Sequence, residues 1–350
     1  MRKIAVVLFN LGGPDAQESI RPFLKNFFMD KNIITAPWPV RFFLSELISR
    51  KRSKKEAGKS YGLLGHKSPL LENTKAQAAA LENALNDSDP SCTWKTFTCM
   101  RYWHPMSDAV TKDVQSWQPD EIVMMPLYPQ FSTTTSWSSF EDWHRAAAET
   151  GLSVATRTIC CYPFNYGFIE ASAHLIRRAH DEFIVAHPNL FPRVLFSAHG
   201  LPEKIIEGGD PYQWQCEQSA KAIAEATGIA NLDWQICYQS RVGRLKWIGP
   251  STDEALRRAA KDNVPVIIYP HAFVSEHVET LVEIEIEYRH LAEQLGVPGF
   301  VRVPTVSTAP EFIAGLVSEV MNCLNNDSRE RICPQNFIRC YCQQEMSGCV

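Results

Sequence analysis

The sequence predicts an α/β protein made of two related halves, each a parallel sheet with helices on both faces. Three observations predict it. Short β-branched and aromatic runs alternate with helical stretches along all 350 residues, the pattern of parallel strands joined by crossover helices. Two pairs of segments echo each other: residues 8–13 (LFNLGG) with 195–200 (LFSAHG), and 127–132 (LYPQFS) with 268–275 (IYPHAFVS). Six polar or glycine-bearing clusters, NLGGP, RYWHP, YPQFSTTTS, SAHGLP, YQSRVG and SEHVE, each follow an apolar run. In open α/β sheets ligands bind beyond the carboxyl ends of the strands, so all six clusters are expected around one cleft between facing halves.

In chain order, strands are expected near residues 3–9, 95–101, 121–127, 153–161, 193–198, 233–238 and 264–269. The first follows Met-Arg-Lys and stops at Gly-Gly-Pro with no small-residue cleavage site, so it reads as a strand rather than a signal peptide. Helices fill most gaps between strands. Ser251-Thr252-Asp253-Glu254 before ALRRAA and Ser275-Glu276 before HVETLVEIEIEY read as helix starts. The expected organisation is one domain over residues 1–170, a second over 171–322, and a cysteine-rich tail over 323–350 packed on them.

A formal net charge of −4 without long single-sign blocks gives no reason to expect nucleic acid. No apolar stretch approaches the ~18 residues that span a bilayer. Residues 33–48, IITAPWPVRFFLSELI, come nearest to a membrane feature, and core or pocket-lid packing is favoured for them over peripheral membrane contact. Gly12-Gly13 matches neither nucleotide-binding glycine pattern. A sharp turn, or close approach to a flat ligand, explains the pair better. Eleven cysteines without a signal peptide argue against a disulfide framework. Four of them, Cys333, Cys340, Cys342 and Cys349, crowd the last eighteen residues.

Chemistry concentrates at two places. His199 ends an expected central strand, with Gly200 beside it leaving room for a ligand. Residues 275–290 supply a carboxylate partner: Glu279, Glu283 and Glu287 fall on one helical stripe, with Glu276 and His277 at its start. The rest of that helix is apolar. A buried carboxylate row costs several kcal/mol unless it binds cations or shares protons, which points to function. Imidazole with carboxylate can ligate a divalent first-row metal or act as acid and base. Ser197 lacks the Gly-x-Ser-x-Gly setting of a hydrolase nucleophile. Tyr61, Tyr102, Trp103, Tyr128, Phe131, Trp137 and Trp247, with Arg52, Ser68 and Arg101, could line a large flat apolar pocket carrying a few carboxylate anchors. At the tail, Cys333-x6-Cys340-x-Cys342, with Cys160-Cys161 upstream, suits zinc or an iron-sulfur cluster.

Taken together, LFSAHGLP, RYWHP, YQSRVGRLKWIGPSTDE and FVSEHVETLVEIEIEY resemble the ferrochelatases, and LFNLGGPD and LYPQFSTTT fit as well. The resemblance runs from Leu8 to about Asn322. It implies two Rossmann-like domains with four-stranded parallel sheets facing a central cleft. It also implies insertion of Fe2+ into protoporphyrin IX with release of two protons, the last step of haem biosynthesis. By motif, His199 is the family histidine that removes pyrrole protons or ligates iron, and Glu279 is its opposing carboxylate. Glu276, His277, Glu283 and Glu287 match a path for metal delivery or proton exit. Leu11, Arg52, Tyr61, Ser68, Arg101, Tyr102 and Trp247 correspond to porphyrin contacts, although the family often has Met where Leu11 stands. The tail matches a 2Fe-2S version of the family, ligated by Cys333, Cys340, Cys342 and one internal cysteine. Cys161 is favoured over Cys160, because neighbours on a strand point to opposite faces. A cytoplasmic enzyme, peripheral on the inner membrane or not, is expected, and homodimerisation is left open. The rival readings are a chelatase for cobalt, nickel or coproporphyrin, and a noncatalytic haem or iron binder.

Overall fold

The computed structural model describes residues 1–241, 245–325 and 331–343. The chain divides into two compact units. The first holds Met1–Cys161 and takes the chain back at Val317 and again at Tyr341, while the second holds Tyr162–Leu316 and Ile332–Cys340.

In the first unit the order is β1 (Arg2–Asn10), α1 (Ile20–Met29), α2 (Trp38–Lys59), α3 (Leu70–Ser88), β2 (Cys92–Met100), α4 (Ser107–Trp117), β3 (Glu121–Pro126), α5 (Ser138–Thr150) and β4 (Ala155–Thr158). The strands form one parallel sheet in the order β2-β1-β3-β4. β1 is central because its side chains are apolar on both faces. Residues 4–9 are at most 1% exposed, as expected of a strand covered by helices on each side. Phe9 meets Phe140 and Trp143 of α5 edge to face, at 5.6 and 5.8 Å between ring centroids. Burying each such ring contributes about 1.5–3 kcal/mol. Ahead of α5 a short π-helix spans Thr133–Trp137, opened by the Ser132 hydroxyl accepting the Thr134 N–H.

The second unit repeats the plan with α6 (Tyr166–Ala186), β5 (Arg193–His199), α7 (Glu203–Glu207), α8 (Tyr212–Ala226), β6 (Trp234–Gln239), α9 (Thr252–Asp262), β7 (Val266–Tyr269), a π-helix (Glu279–Tyr288) running into α10 (Arg289–Leu295), and β8 (Phe300–Arg302). Its sheet order is β6-β5-β7-β8, again parallel. The last helix, α11 (Pro310–Asn325), starts in this unit.

Several expectations shift. β8 is absent from the sequence reading because three half-buried residues are too few to show a period. The strand expected at 153–161 stops at Thr158, leaving Cys160 and Cys161 beyond it. α9 starts as expected, with a capping box in which Ser251 and Glu254 each accept the other's backbone N–H. The helix expected from Ser275-Glu276 instead begins at Glu279 and winds with i→i+5 bonds. The stretch expected to pack in the core or as a lid is largely helix α2, and Trp38, Phe43 and Leu47 on it are 55–68% exposed. No helix among the described residues is long and apolar enough to cross a membrane.

Candidate active site

β5 and the π-helix of the second unit build the site. His199 is the last residue of β5, in register with Gln239 at the end of β6. Its carbonyl accepts the Tyr212 hydroxyl of α8 at 3.0 Å. Its ring Nδ1 lies 3.0 Å from Oε2 of Glu279, the first residue of the π-helix. Both side chains are partly open, 36% and 25% exposed. An Nδ1–H donated to the carboxylate makes Nε2 the basic nitrogen of the ring. Burial works against ionisation of Glu279, but the His199 and His277 imidazoles beside it win and hold its carboxyl far below the usual range.

This geometry changes one expectation. Groups 3.0 Å apart cannot clasp a porphyrin between them, so Glu279 is a hydrogen-bonded companion of His199 rather than an opposing carboxylate. His277 completes the group. Its Nε2 is 3.8 Å from Glu279 Oε2, its ring packs on Phe273 at 4.7 Å, and its buried Nδ1 has no hydrogen-bond partner among the described residues. A buried orphan nitrogen of this kind calls for an absent ligand or water.

The acidic stripe divides by partner. Glu283 accepts from the Ser240 N–H at 2.8 Å, the Ser240 hydroxyl, Tyr288 at 3.1 Å and Gln239 at 3.3 Å. Burial, then the negative charge of Glu279, pushes its carboxyl above the usual value. Glu287 lines a cavity of about 290 Å³ with Glu283, Asp253, Arg241 and Tyr238. Glu276 is engaged differently: Arg302 and the Thr305 N–H bind its Oε1 at 2.9 and 3.0 Å, and the Thr280 hydroxyl binds Oε2. It braces the loop before the π-helix. In an i→i+5 helix, residues four apart fall just short of a full turn, so Glu279, Glu283 and Glu287 stay on one side.

Neighbours of His199 are tightly fitted. A Cβ on Gly200 would come 2.8 Å from the Gln239 carbonyl, so the backbone fills the space expected for a ligand. The Trp247 ring also crowds that glycine, 3.4 Å from the same Cβ position. Ser197 is buried and donates to Gln239 Oε1 at 2.7 Å, which removes it as a nucleophile. Val242, Gly243 and Arg244 of the YQSRVGRLKW motif lie outside the described residues.

The first unit gathers most of the expected contact residues at the end of β1. Tyr102 N–H donates to the Leu11 carbonyl at 3.0 Å. Gly12, at φ +84°, leaves 2.9 Å between its Cβ position and Trp103 N, and Gly13 leaves 2.6 Å to Ser68 Cβ. The glycine pair thus lets three loops of the protein itself meet. Asp30, for which no sequence motif gave a reason, ties the segment after β2 to the start of α5: it accepts from Tyr102 at 2.7 Å, Arg101 at 3.2 Å and the Ser138 hydroxyl. Arg52 stacks over Phe28 at 5.8 Å, and Tyr61 is buried, its carbonyl accepting from His66 N–H at 2.7 Å. Phe131 and Trp137 pack on Tyr341 as core residues.

Among the cysteines, Cys160 and Cys161 are buried with sulfurs 3.6 Å apart. Strand alternation therefore does not separate them. Cys342 packs on the same cluster in the first unit. Cys333 and Cys340 are buried in the second unit, and Gln215 donates to Cys333 Sγ at 3.0 Å. Cys349 lies outside the described residues. Among those residues no three histidine, cysteine or acidic side chains stand together as a metal-ligating group.

Comparison with known proteins identifies the family. The family model described as Ferrochelatase matches residues 3–324. A ferrochelatase of Caulobacter vibrioides is 50% identical over 319 residues, covering 91% of this chain and 90% of its own. One from Pelagibacter ubique is 45% identical over 347 residues, covering 97% and 98%. Among solved structures, SirB from Bacillus subtilis with Fe3+ superposes with TM-score 0.53 over 92% of this chain and 96% of its own, at 11% identity, a likeness of fold alone. The family model spans both sheets. The chain belongs to the ferrochelatase family.

Proposed function

We propose that this protein inserts Fe2+ into protoporphyrin IX, giving protohaem and two protons, with His199 and Glu279 at the reacting centre. The observation that carries the reading is the His199–Glu279 hydrogen bond at the end of β5. Iron and porphyrin are both substrates. Each inner N–H of the macrocycle must lose its proton as a metal–nitrogen bond forms, so the site needs a base of ordinary strength held in one orientation. Glu279 fixes the imidazole through Nδ1, leaves Nε2 to take a pyrrole proton, and stabilises the imidazolium that results. Glu283, its carboxyl raised above the usual value by burial and by the charge of Glu279, is suited to receive a proton next, and Glu287 continues the line to the adjoining cavity. His277, with its orphan Nδ1, is suited to touch the incoming metal. Leu11, Tyr61, Ser68, Arg52, Arg101, Tyr102 and Trp247 are proposed porphyrin contacts, Arg101 and Tyr102 among them bound by Asp30.

The test is loss of protoporphyrin fluorescence on adding ferrous iron, run beside cobalt and zinc. Preference for iron supports the reading, a cobalt-specific enzyme replaces it with another chelatase, and binding without metallation overturns it.

We also propose a 2Fe-2S cluster held by Cys333, Cys340, Cys342 and one of Cys160 and Cys161. What supports it is the residue type and burial: Cys160, Cys161, Cys333 and Cys340 are buried, Cys342 is half-buried, and Cys333 accepts an amide N–H at sulfur. Such a group supplies a one-electron couple. Protein purified anaerobically without colour, iron or sulfide would refute it. The exposed Trp38, Phe43 and Leu47 of α2, followed by Arg50, Lys51 and Lys54, support peripheral contact with an anionic membrane. Cosedimentation with anionic vesicles that survives Trp38→Ala and Phe43→Ala would count against that surface.

A further inference from the structure

Arg302 ends β8, a strand of only three residues, yet its side chain is 14% exposed and engaged with two carboxylates. Nη1 donates to Glu276 Oε1 at 2.9 Å, and Nε donates to Glu285 Oε2 at 3.2 Å. Glu276 stands before the π-helix and Glu285 lies within it, so one guanidinium grips the chain on both sides of Glu279. A planar fork of fixed donors can hold two carboxylates at once, which a lysine ammonium does less well. β8 itself is anchored: Arg302 pairs in register with Ile268 of β7, whose carbonyl accepts the Val303 N–H at 2.9 Å.

From Glu276 the hydrogen bonds continue toward the reacting pair. Its Oε2 accepts the Thr280 hydroxyl, which commits the only hydrogen on that oxygen, and the same oxygen accepts the His277 N–H at 3.0 Å. Thr280 is fully buried, so this relay has no water to replace its partners. On the other side, Glu285 Oε1 accepts from Nε and Nη2 of Arg289 at 2.8 and 2.6 Å, and Arg289 Nη1 donates to the Phe300 carbonyl of β8 at 2.9 Å. Winding with i→i+5 bonds is ordinarily confined to a single turn. Here it runs for ten residues, Glu279–Tyr288. A helix of low intrinsic stability keeps its register where outside contacts impose it, and the contacts with β8 do so on both sides of the first turn.

We infer that Arg302 is a positioning residue for metal insertion: by bridging Glu276 and Glu285 it holds the π-helix in the winding that seats Glu279 on His199. The inference rests on the reading that this pair is the reacting centre. Relaxation of the first turn toward ordinary i→i+4 winding would turn Glu279 about the helix axis and away from Nδ1. The imidazole would then lose the partner that fixes its tautomer and leaves Nε2 as the base.

The experiment compares Arg302→Met, Arg302→Lys and Glu285→Gln with the wild type, all as the full chain, by iron-insertion kinetics and by the ring-nitrogen NMR shifts of His199, which report its tautomer. Arg302→Met should lower kcat about tenfold or more, the scale of loss that a misplacement of about 1 Å causes, with KM for porphyrin little changed. It should also convert His199 from a single Nδ1–H tautomer to a mixture. Arg302→Lys should recover part of both losses. Glu285→Gln, which leaves the Glu276 arm in place, should show a smaller loss in the same direction, and these two variants decide the matter if Arg302→Met does not fold. Wild-type kcat and tautomer in the variants, whatever their urea midpoints, make Arg302 a structural support and overturn the inference. Full recovery with lysine overturns the bridging role. A wild-type protein that inserts no iron refutes the functional reading and the inference with it, whereas iron insertion matched by every variant overturns the inference alone.

Discussion

Asn10 and His199 hold the same place in the two sheets. Each ends the strand second in sheet order and pairs in register with the last residue of its neighbour, Met100 or Gln239. Asn10 is 5% exposed and satisfied within its unit: its amide donates to Thr74 at 3.0 Å and accepts the Leu11 N–H at 2.8 Å. His199 is partly open and spends Nδ1 on a carboxylate. The following segments diverge alike. After β3 and after β7 the chain winds into i→i+5 turns, but Thr133–Trp137 carries hydroxyls and an indole, whereas Glu279–Tyr288 carries four glutamates. One backbone plan presents both positions, and side-chain chemistry alone distinguishes them: a satisfied amide in one sheet, an imidazole paired with a carboxylate in the other.

That asymmetry can be broken most directly at its centre. His199→Ala and Glu279→Ala should each lower iron insertion by at least about 10²-fold, the usual worth of a positioned acid–base group. Asn10→Ala should instead cost about 1–3 kcal/mol of stability by leaving Thr74 and Leu11 N–H without their partner, read as a lower urea midpoint, with no comparable rate loss. Near-normal turnover in either site variant, or a hundredfold loss in Asn10→Ala, ends the distinction.

A smaller effect on the reaction is expected from Asp30→Ala, which removes the Arg101 ion pair at 3.2 Å, leaves Asp142 at 3.7 Å as its counter-charge, and should destabilise by about 1–3 kcal/mol. Because Asp30 holds Arg101 and Tyr102 in the first unit and touches no reacting atom, KM for porphyrin should rise more than kcat falls. An equal loss in kcat would move this network into the chemistry.

The smallest and most specific prediction concerns pH. Glu279, with its folded pKa depressed, contributes stability above the ordinary carboxylate range that is lost on acidification below it. Glu283, with its folded pKa raised, has the opposite sign: its contribution declines as pH rises through and above that range. Carboxyl NMR should therefore find Glu283 titrating above a free glutamate, and Glu279→Gln should bring it down by removing the neighbouring charge. An unmoved Glu283 would separate the two carboxylates electrostatically.

Most of the sheet plan was legible because strands covered on both faces are runs of apolar residues, as in IAVVLF and VLFSA. The histidine and its glutamate were legible from strand-end placement and from a carboxylate row on an otherwise apolar helix. Asp30 was not, since a single aspartate after a helix looks like any cap. Arg302 was hidden by the shortness of β8, and the Gln215–Cys333 contact joins residues 118 positions apart. Strand alternation does not govern Cys160-Cys161, because β4 ends at Thr158.

The sequence by itself determined the two-fold α/β plan, the apolar cores and which residue types stand at the strand ends, since these follow from local periodicity and turn chemistry. Only the tertiary structure decided partnership. It put Glu279 against His199 instead of across from it, spent Glu276 on Arg302, and tied Arg101 and Tyr102 to Asp30. Such pairings depend on which of several available donors and acceptors are brought together after burial, and buried polar groups must find partners wherever packing places them.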